Sequence, residues 1–243
     1  MILVVDIGNT QIKLGIFDDK NLVEEISFIT FNDFINNNQL LKNYSIQSVV
    51  ISSVVPNLTD LMVDEIKKIC AIDAFIINHK NCRLKLNVEK PETIGADRLC
   101  NMSAAIQQYN NPIIIIDFGT ANTYDVIDEN NTFLGGAISP GIETSARYLI
   151  EKAALLDKTK FNFPDQVIGK TTATNIQSGI MFGAIDQITG MIDRIKKETQ
   201  NENYSIILTG GFGKLLSPKL KTKHILDEHL TLKGLLHIYS LNA

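Results

Sequence analysis

The chain has 243 residues, 44% of them hydrophobic and 21% charged, and a formal charge of −4. That is material for one large or two ordinary globular domains, and without a basic cluster it speaks against nucleic acid and anionic membrane surfaces as partners. No apolar run reaches the ~20 residues of a membrane span, no basic leader precedes the first apolar run, and three irregularly spaced cysteines make no disulfide framework, so a cytoplasmic protein is expected.

In chain order, Met1 to Val5 is a short apolar run and reads as a strand. "DIGNT" turns the chain, and "QIKLGIF" alternates polar and apolar residues as a second strand, closing a hairpin. "LVEEISFIT" is a third strand and "SVVISSVV" a buried fourth, stopped by Pro56. Thr59 is expected to open a helix with Leu61, Met62, Ile66 and Ile69 on one face. "AFIIN" is a short strand. His79 stands three residues before Cys82, but no second ligand pair follows, so packed thiols are preferred to a metal site. Thr93 is expected to cap a helix in which Leu99, Met102 and Ile106 recur at helical spacing.

The opening pattern then returns. "PIIIID" is a strand buried on both faces, and "DFGTANTYDVI" parallels "DIGNTQIKLGI". "DENN" parallels "DDKN", and "TFLGGAIS" supplies the third strand. Asp6 to Asp117 and Gly8 to Gly119 are both 111 residues, which indicates a repeat of domain size. After it come a helix from "GIETSARYLIEKAALL", a loop from Lys160 to Thr172, and a long helix striped by Ile176, Ile180, Ala184, Ile188, Ile192 and Ile195. Gly179 and Gly183 on that helix's other face are read as close helix packing. "SIILTGGFG" is a strand with a glycine exit, and "LTLKGLLHIYS" a closing helix. The domain boundary is expected near Asn110 to Pro112, giving domains 1–111 and 112–243.

Both Asp-x-Gly turns suit phosphate. Backbone N–H groups cradle phosphate oxygens, and a carboxylate holds a cation that neutralises them. In the first, Gly8 allows the bend, Asn9 and Thr10 add donors, Asp6 is placed to bind Mg²⁺ and Lys13 to reach a phosphate. The bland alternative is an ordinary hairpin turn, and the repetition favours function. In the second, Gly119, Thr120 and Ala121 are small residues with N–H groups, and Asp117 ends a buried strand where a bound cation is a natural partner. Asp125 either serves the site or faces solvent. "GADR", Gly95 to Arg98, puts a carboxylate and a guanidinium in the first turn of a helix. Arg is unhelpful there for the helix dipole, so either a ligand wants it or the pair is a local ion pair. In a kinase, Asp97 would take the proton of the attacking hydroxyl, kept ionised by the helix N-terminus, and Arg98 would pair with an anionic substrate group. Gly210 and Gly211 either let a base lie flat or only leave the strand. "GGAISPG", Gly135 to Gly141, is read as a loop.

Together these motifs resemble type III pantothenate kinases, of the actin-like ATPase (acetate and sugar kinase) superfamily. The resemblance rests on D-x-G-N-T at Asp6 to Thr10, P-x3-G-A-D-R at Pro91 to Arg98, D-F-G-T-A at Asp117 to Ala121, and G-G-x-I-x-P-G at Gly135 to Gly141. Gln177-Ser178-Gly179, Gly210-Gly211 and L-T-L-x-G-L at Leu230 to Leu235 complete it. It implies an α/β fold of two ribonuclease-H-like domains related by duplication, with the ligand cleft between them, and a homodimer. It implies ATP-dependent phosphorylation of pantothenate, the first step toward coenzyme A, with Mg²⁺ accompanying ATP. It assigns ATP to Asp6, Ile7, Gly8, Asn9, Thr10, Gln11, Ile12, Lys13 and Thr120, and the base to Asp97. Pantothenate contacts fall to Gly95, Ala96, Asp97, Arg98 and Thr172, and a monovalent cation, K⁺ or NH₄⁺, to Asp117. The family often has Tyr seven residues before the glycine of G-A-D-R; Val88 stands there. The rivals are another kinase or phosphatase of the superfamily, whose sugar site would favour neutral polar groups, and a catalytically silent regulatory relative, which would have no chemical need for Asp6, Asp97, Arg98 and Asp117 together.

Overall fold

The computed structural model describes residues 1–152 and 161–243. These form two compact units. The first takes Met1–Gln108, Asn131–Phe133 and His229–Ala243, and the second Tyr109–Asn130 and Leu134–Glu228.

In the first unit, β1 (Ile2–Ile7), β2 (Ile12–Asp18) and β3 (Asn21–Phe28) are an antiparallel meander. Parallel strands β4 (Ser48–Ser53) and β5 (Ala74–Ile76) extend it, in the order β3-β2-β1-β4-β5. Alternation sets the faces. Leu3, Val5, Ile7, Ile12, Leu14 and Ile16 share one core with Phe34 of α1 (Phe31–Asn37) and with Met62 and Ile66 of α2 (Pro56–Cys70). Helix α2 opens at Pro56, not Thr59: proline at the first helical position has no N–H to lose. Thr59 instead hydrogen-bonds the Ser53 hydroxyl at 2.6 Å, within the first turn.

The other face carries α3 (Ala96–Gln108) and α7 (Leu230–Ser240). A β-carbon on Gly234 would lie 1.9 Å from the Cys100 carbonyl oxygen, so the two helices meet backbone to backbone. Thr231 donates to the buried Asn101 Oδ1 at 2.8 Å, and the Ser103 hydroxyl meets His237 Nδ1 at 2.8 Å. The glycine of "LTLKGL" thus seats the closing helix on the helix that begins with "GADR". Short β6 (Lys85–Leu86) pairs in parallel with Thr132 and Phe133.

The second unit repeats the plan. Strands β7 (Ile113–Phe118), β8 (Ala121–Ile127), β9 (Thr132–Pro140), β10 (Ser205–Thr209) and β11 (Ile225–Leu226) lie in the order β11-β10-β7-β8-β9. "GGAISPG" is therefore mostly strand, the end of β9, and not a loop. Ile114, Ile116, Phe118 and Tyr124 pack with Ile142 of α4 (Ile142–Lys152) and with Met181, Ala184, Ile188 and Ile192 of α5 (Thr172–Thr199). The end of "GIETSARYLIEKAALL", from residue 153, lies outside the described residues. On α5, Gly179 and Gly183 are exposed, and a β-carbon on either would meet nothing within 4 Å. The expected close packing is not made within the described residues. Helix α6 (Gly213–Leu216) follows β10. The fold class read from the sequence holds: α/β, two ribonuclease-H-like units with the same strand order.

Candidate active site

Asp6 is one residue from the end of β1, opposite Lys13 of β2 and beside Ser52 of β4. The bend between the strands is Gly8 to Gln11, closed by Gly8 N–H to the Gln11 carbonyl at 3.0 Å. That N–H is consumed by the turn. The exposed residues Asn9, Thr10 and Gln11 supply the groups that face solvent. Ile7 and Ile12 point into the core, with 0% and 2% of their surface exposed, so each offers a ligand only its backbone.

Asp97 stands in the first turn of α3. Its Oδ1 accepts the Arg98 backbone N–H at 2.7 Å and folds back over Gly95, where a β-carbon would approach it to 2.4 Å. Glycine at that position makes room for the carboxylate. The helix starts at Ala96, and Thr93 does not cap it: its hydroxyl bonds the Lys90 carbonyl at 2.8 Å in a preceding 3-10 turn, Pro91–Thr93. Burial raises the Asp97 pKa, and the Arg98 N–H and the Arg98 charge only partly offset it. The expectation that the helix N-terminus holds Asp97 at an ordinary value is overturned, because desolvation outweighs the dipole. The Arg98 guanidinium lies 5.7 Å from the Phe133 ring centroid.

Asp6 and Asp97 converge on one neighbour. The Cys100 thiol, fully buried, is pushed well up in pKa by burial first and then by the charges of Asp6 and Asp97. It is an inert spacer between the strand end and the helix start. A groove of about 620 Å³ runs beside Gly95 and Ala96, lined also by Ser53, Thr59, Asp60 and Glu92. Val88 is half-buried in the bend after β6.

In the second unit, Asp117 holds the place of Asp6, opposite Thr123 and beside Thr209. The bend is one residue shorter, Gly119 to Ala121, closed by Gly119 N–H to the Ala121 carbonyl at 3.2 Å. The Thr120 carbonyl is tied down by Gly141 N–H at 3.0 Å and by the Thr144 hydroxyl at 2.7 Å, and Thr120 itself is exposed. Gly210 is the close neighbour of Asp117: its φ is +87°, and a β-carbon there would sit 2.4 Å from Asp117 Oδ1 and 2.5 Å from the Phe118 nitrogen. Asp125 has 0% exposure, which removes the solvent-facing reading. Thr172 is exposed at the first position of α5, after the capping box of Thr171 and Thr174.

Sequence reasoning missed Ser52, Thr209 and Cys100. The first two were legible as the polar ends of buried strands; the third carried no signal beyond being a cysteine in an apolar stripe.

Comparison with known proteins agrees with the arrangement. The family model described as type III pantothenate kinase matches residues 2–194. A type III pantothenate kinase of Sulfurihydrogenibium sp. (strain YO3AOP1) is 38% identical over 97% of this chain and 98% of its own. One of Finegoldia magna is 38% identical over 100% and 98%. Among solved structures, a Baf family protein from Campylobacter jejuni superposes with a TM-score of 0.63 at 20% identity, over 99% of this chain and 98% of its own. Component A of the Acidaminococcus fermentans (R)-2-hydroxyglutaryl-CoA dehydratase gives 0.53 at 14% identity, over 98% and 96%. At such identities these structures speak to the fold alone.

Proposed function

The chain belongs to the type III pantothenate kinase family, and on that premise we propose how its residues phosphorylate pantothenate, the first step toward coenzyme A. ATP is the phosphoryl donor. Asp6 to Lys13 and Thr120 serve its phosphates, with donors from Asn9, Thr10 and Gln11 rather than from Gly8, whose N–H closes the bend. Lys13 supplies the positive charge.

Asp97 accepts the proton of the pantothenate primary hydroxyl. The observation that carries this reading is the Asp97 carboxyl itself, held over Gly95 in a largely desolvated place and raised in pKa. A carboxylate whose pKa is raised by burial is a stronger base for the hydroxyl proton than an ordinary aspartate. Arg98 pairs with the pantothenate carboxylate, since a guanidinium offers two parallel donors to it. Gly95, Ala96, Val88 and Thr172 line the acceptor. The groove beside Gly95 holds the Asp60 and Glu92 carboxylates, so the anionic end of pantothenate belongs at Arg98 and not there.

No cluster of three or more His, Cys, Asp or Glu stands ready for a metal among the described residues. Mg²⁺ fits that donor set, because it binds through one or two carboxylates and the substrate's phosphates. Asp6 is the carboxylate placed for it. When bound, Mg²⁺ neutralises phosphate charge. Asp117, a hard oxygen donor over Gly210, suits a monovalent cation, K⁺ or NH₄⁺. A homodimer and a cytoplasmic location complete the proposal; no helix among the described residues is long and apolar enough to cross a membrane.

The test is an assay of purified protein with ATP, Mg²⁺, K⁺ and pantothenate. ADP and phosphopantothenate are expected in equal amounts. Turnover of a sugar and none of pantothenate would overturn the assignment.

A further inference from the structure

The first bend has a feature that the phosphate reading leaves unused. Directly opposed residues of an antiparallel pair project on one face. Asp6 faces Lys13, and two residues along β2, Gly15 faces Glu25 of β3. Asp6, Lys13 and Glu25 therefore share a face. Gly15 has no side chain to separate the last two, and the Lys13 ammonium meets Glu25 Oε1 at 3.7 Å. The other carboxylate oxygen is held by His229 Nδ1 at 2.5 Å. His229 directly precedes α7, whose Leu232 would lie 3.2 Å from a β-carbon on Gly15. Sheet and closing helix together fix where Glu25 stands.

We infer that Glu25 is the positioning residue of Lys13, anchored by His229 and acting through the lysine on the nucleotide's phosphates. The inference rests on the assignment of Lys13 to ATP. A lysine carries four rotatable bonds, and an unrestrained one surrenders that freedom when it meets a phosphate. Glu25 removes part of that freedom beforehand. At 3.7 Å the contact is an ion pair and not a hydrogen bond, so all three ammonium donors remain for phosphate oxygens. The second service of Glu25 is against Asp6: an ammonium also drawn along the strands toward Glu25 does not settle wholly on the carboxylate opposite it. The bare charge of Glu25 acts the other way, because a carboxylate near a polyphosphate repels it. Positioning and simple charge thus predict opposite signs.

ATP with Mg²⁺ is titrated calorimetrically, without pantothenate, into the wild-type chain, Glu25→Gln, Lys13→Met and the double variant, and the melting temperature of each is recorded. Glu25 is on an edge strand and partly exposed, so Glu25→Gln keeps the fold. It should weaken ATP binding about three- to fivefold, the scale of a partly exposed ion pair, and by less than about twofold in the Lys13→Met background, with the pantothenate KM unchanged. Unchanged or tighter binding by Glu25→Gln while Lys13→Met weakens it would overturn the inference, as would an equal loss in both backgrounds. If Lys13→Met binds ATP as the wild type does, the assignment of Lys13 to phosphate fails and takes this inference with it. The product assay on pantothenate stands independently of that result.

Discussion

The two Asp-x-Gly bends share a strand order and a position, yet they are built differently. The first spans four residues and has Lys13 opposite its aspartate, with Glu25 and His229 behind the lysine. The second spans three, has the neutral Thr123 opposite its aspartate, and is fastened from outside by Gly141, Thr144 and Gly210. One bend is exposed at its tip and has a lysine opposite its aspartate. The other is held rigidly and leaves its carboxylate facing hydroxyls. The backbone plan is repeated while the residues opposite the aspartates differ, and on the roles proposed above the first bend supplies charge and the second a carboxylate for a cation.

That division can be pressed hardest at Asp97, which has no counterpart in the second bend. Asp97→Asn should lower kcat roughly 10²-fold or more, the scale of a lost general base. It should also raise the melting temperature at neutral pH. The folded pKa of Asp97 is raised, so its protonated form contributes stability that is full below the unfolded value of about 3.9 and is lost as pH rises through the folded pKa. Asparagine keeps the uncharged form at every pH. In the wild type, kcat should fall with acid at a pH above the ordinary aspartate range. A variant that is both active and no more stable would refute the role and the desolvation together.

Next in size is Gly210→Ala. A methyl group there meets Asp117 Oδ1 and the Phe118 nitrogen and strains a backbone at φ +87°, costing about 2–4 kcal/mol by denaturant unfolding. Gly119→Ala should cost less than about 1 kcal/mol, because its β-carbon would be 3.5 Å from the Ala121 carbonyl oxygen, an ordinary contact. Equal costs would mean that the second bend is not fastened through Gly210. Smallest is the cation effect. Replacing K⁺ with Na⁺ should slow the wild type several-fold, and Asp117→Asn should abolish the difference between the two ions. Persistence of the difference in that variant would take the cation from Asp117.

Much of this was readable along the chain. Strands β1, β2 and β3 and their echo β7, β8 and β9 followed from alternation and turn residues, and the 111-residue spacing disclosed the repeat. The motif stretches named Asp6, Asp97, Arg98 and Asp117 because carboxylates at strand ends and helix starts are local signals. Short β6, α6 and β11 gave none, since two to four residues cannot show a period. The glycines were misread for a different reason. Gly179 and Gly183 were read as packing and meet nothing within 4 Å among the described residues, and Gly210, read as lying under a base or only leaving the strand, makes room for Asp117. What a glycine accommodates is usually far off in the chain.

The order of apolar and polar residues was enough to specify the class of fold, the duplication and the chemical vocabulary of the site, because those depend on neighbours a few residues apart. Three matters were settled only when distant segments packed: the raised pKa of Asp97, the ion pair that holds Lys13, and the seat of α7 on α3. Each depends on desolvation or on contact between side chains far apart in the chain, and local pattern carries no record of either.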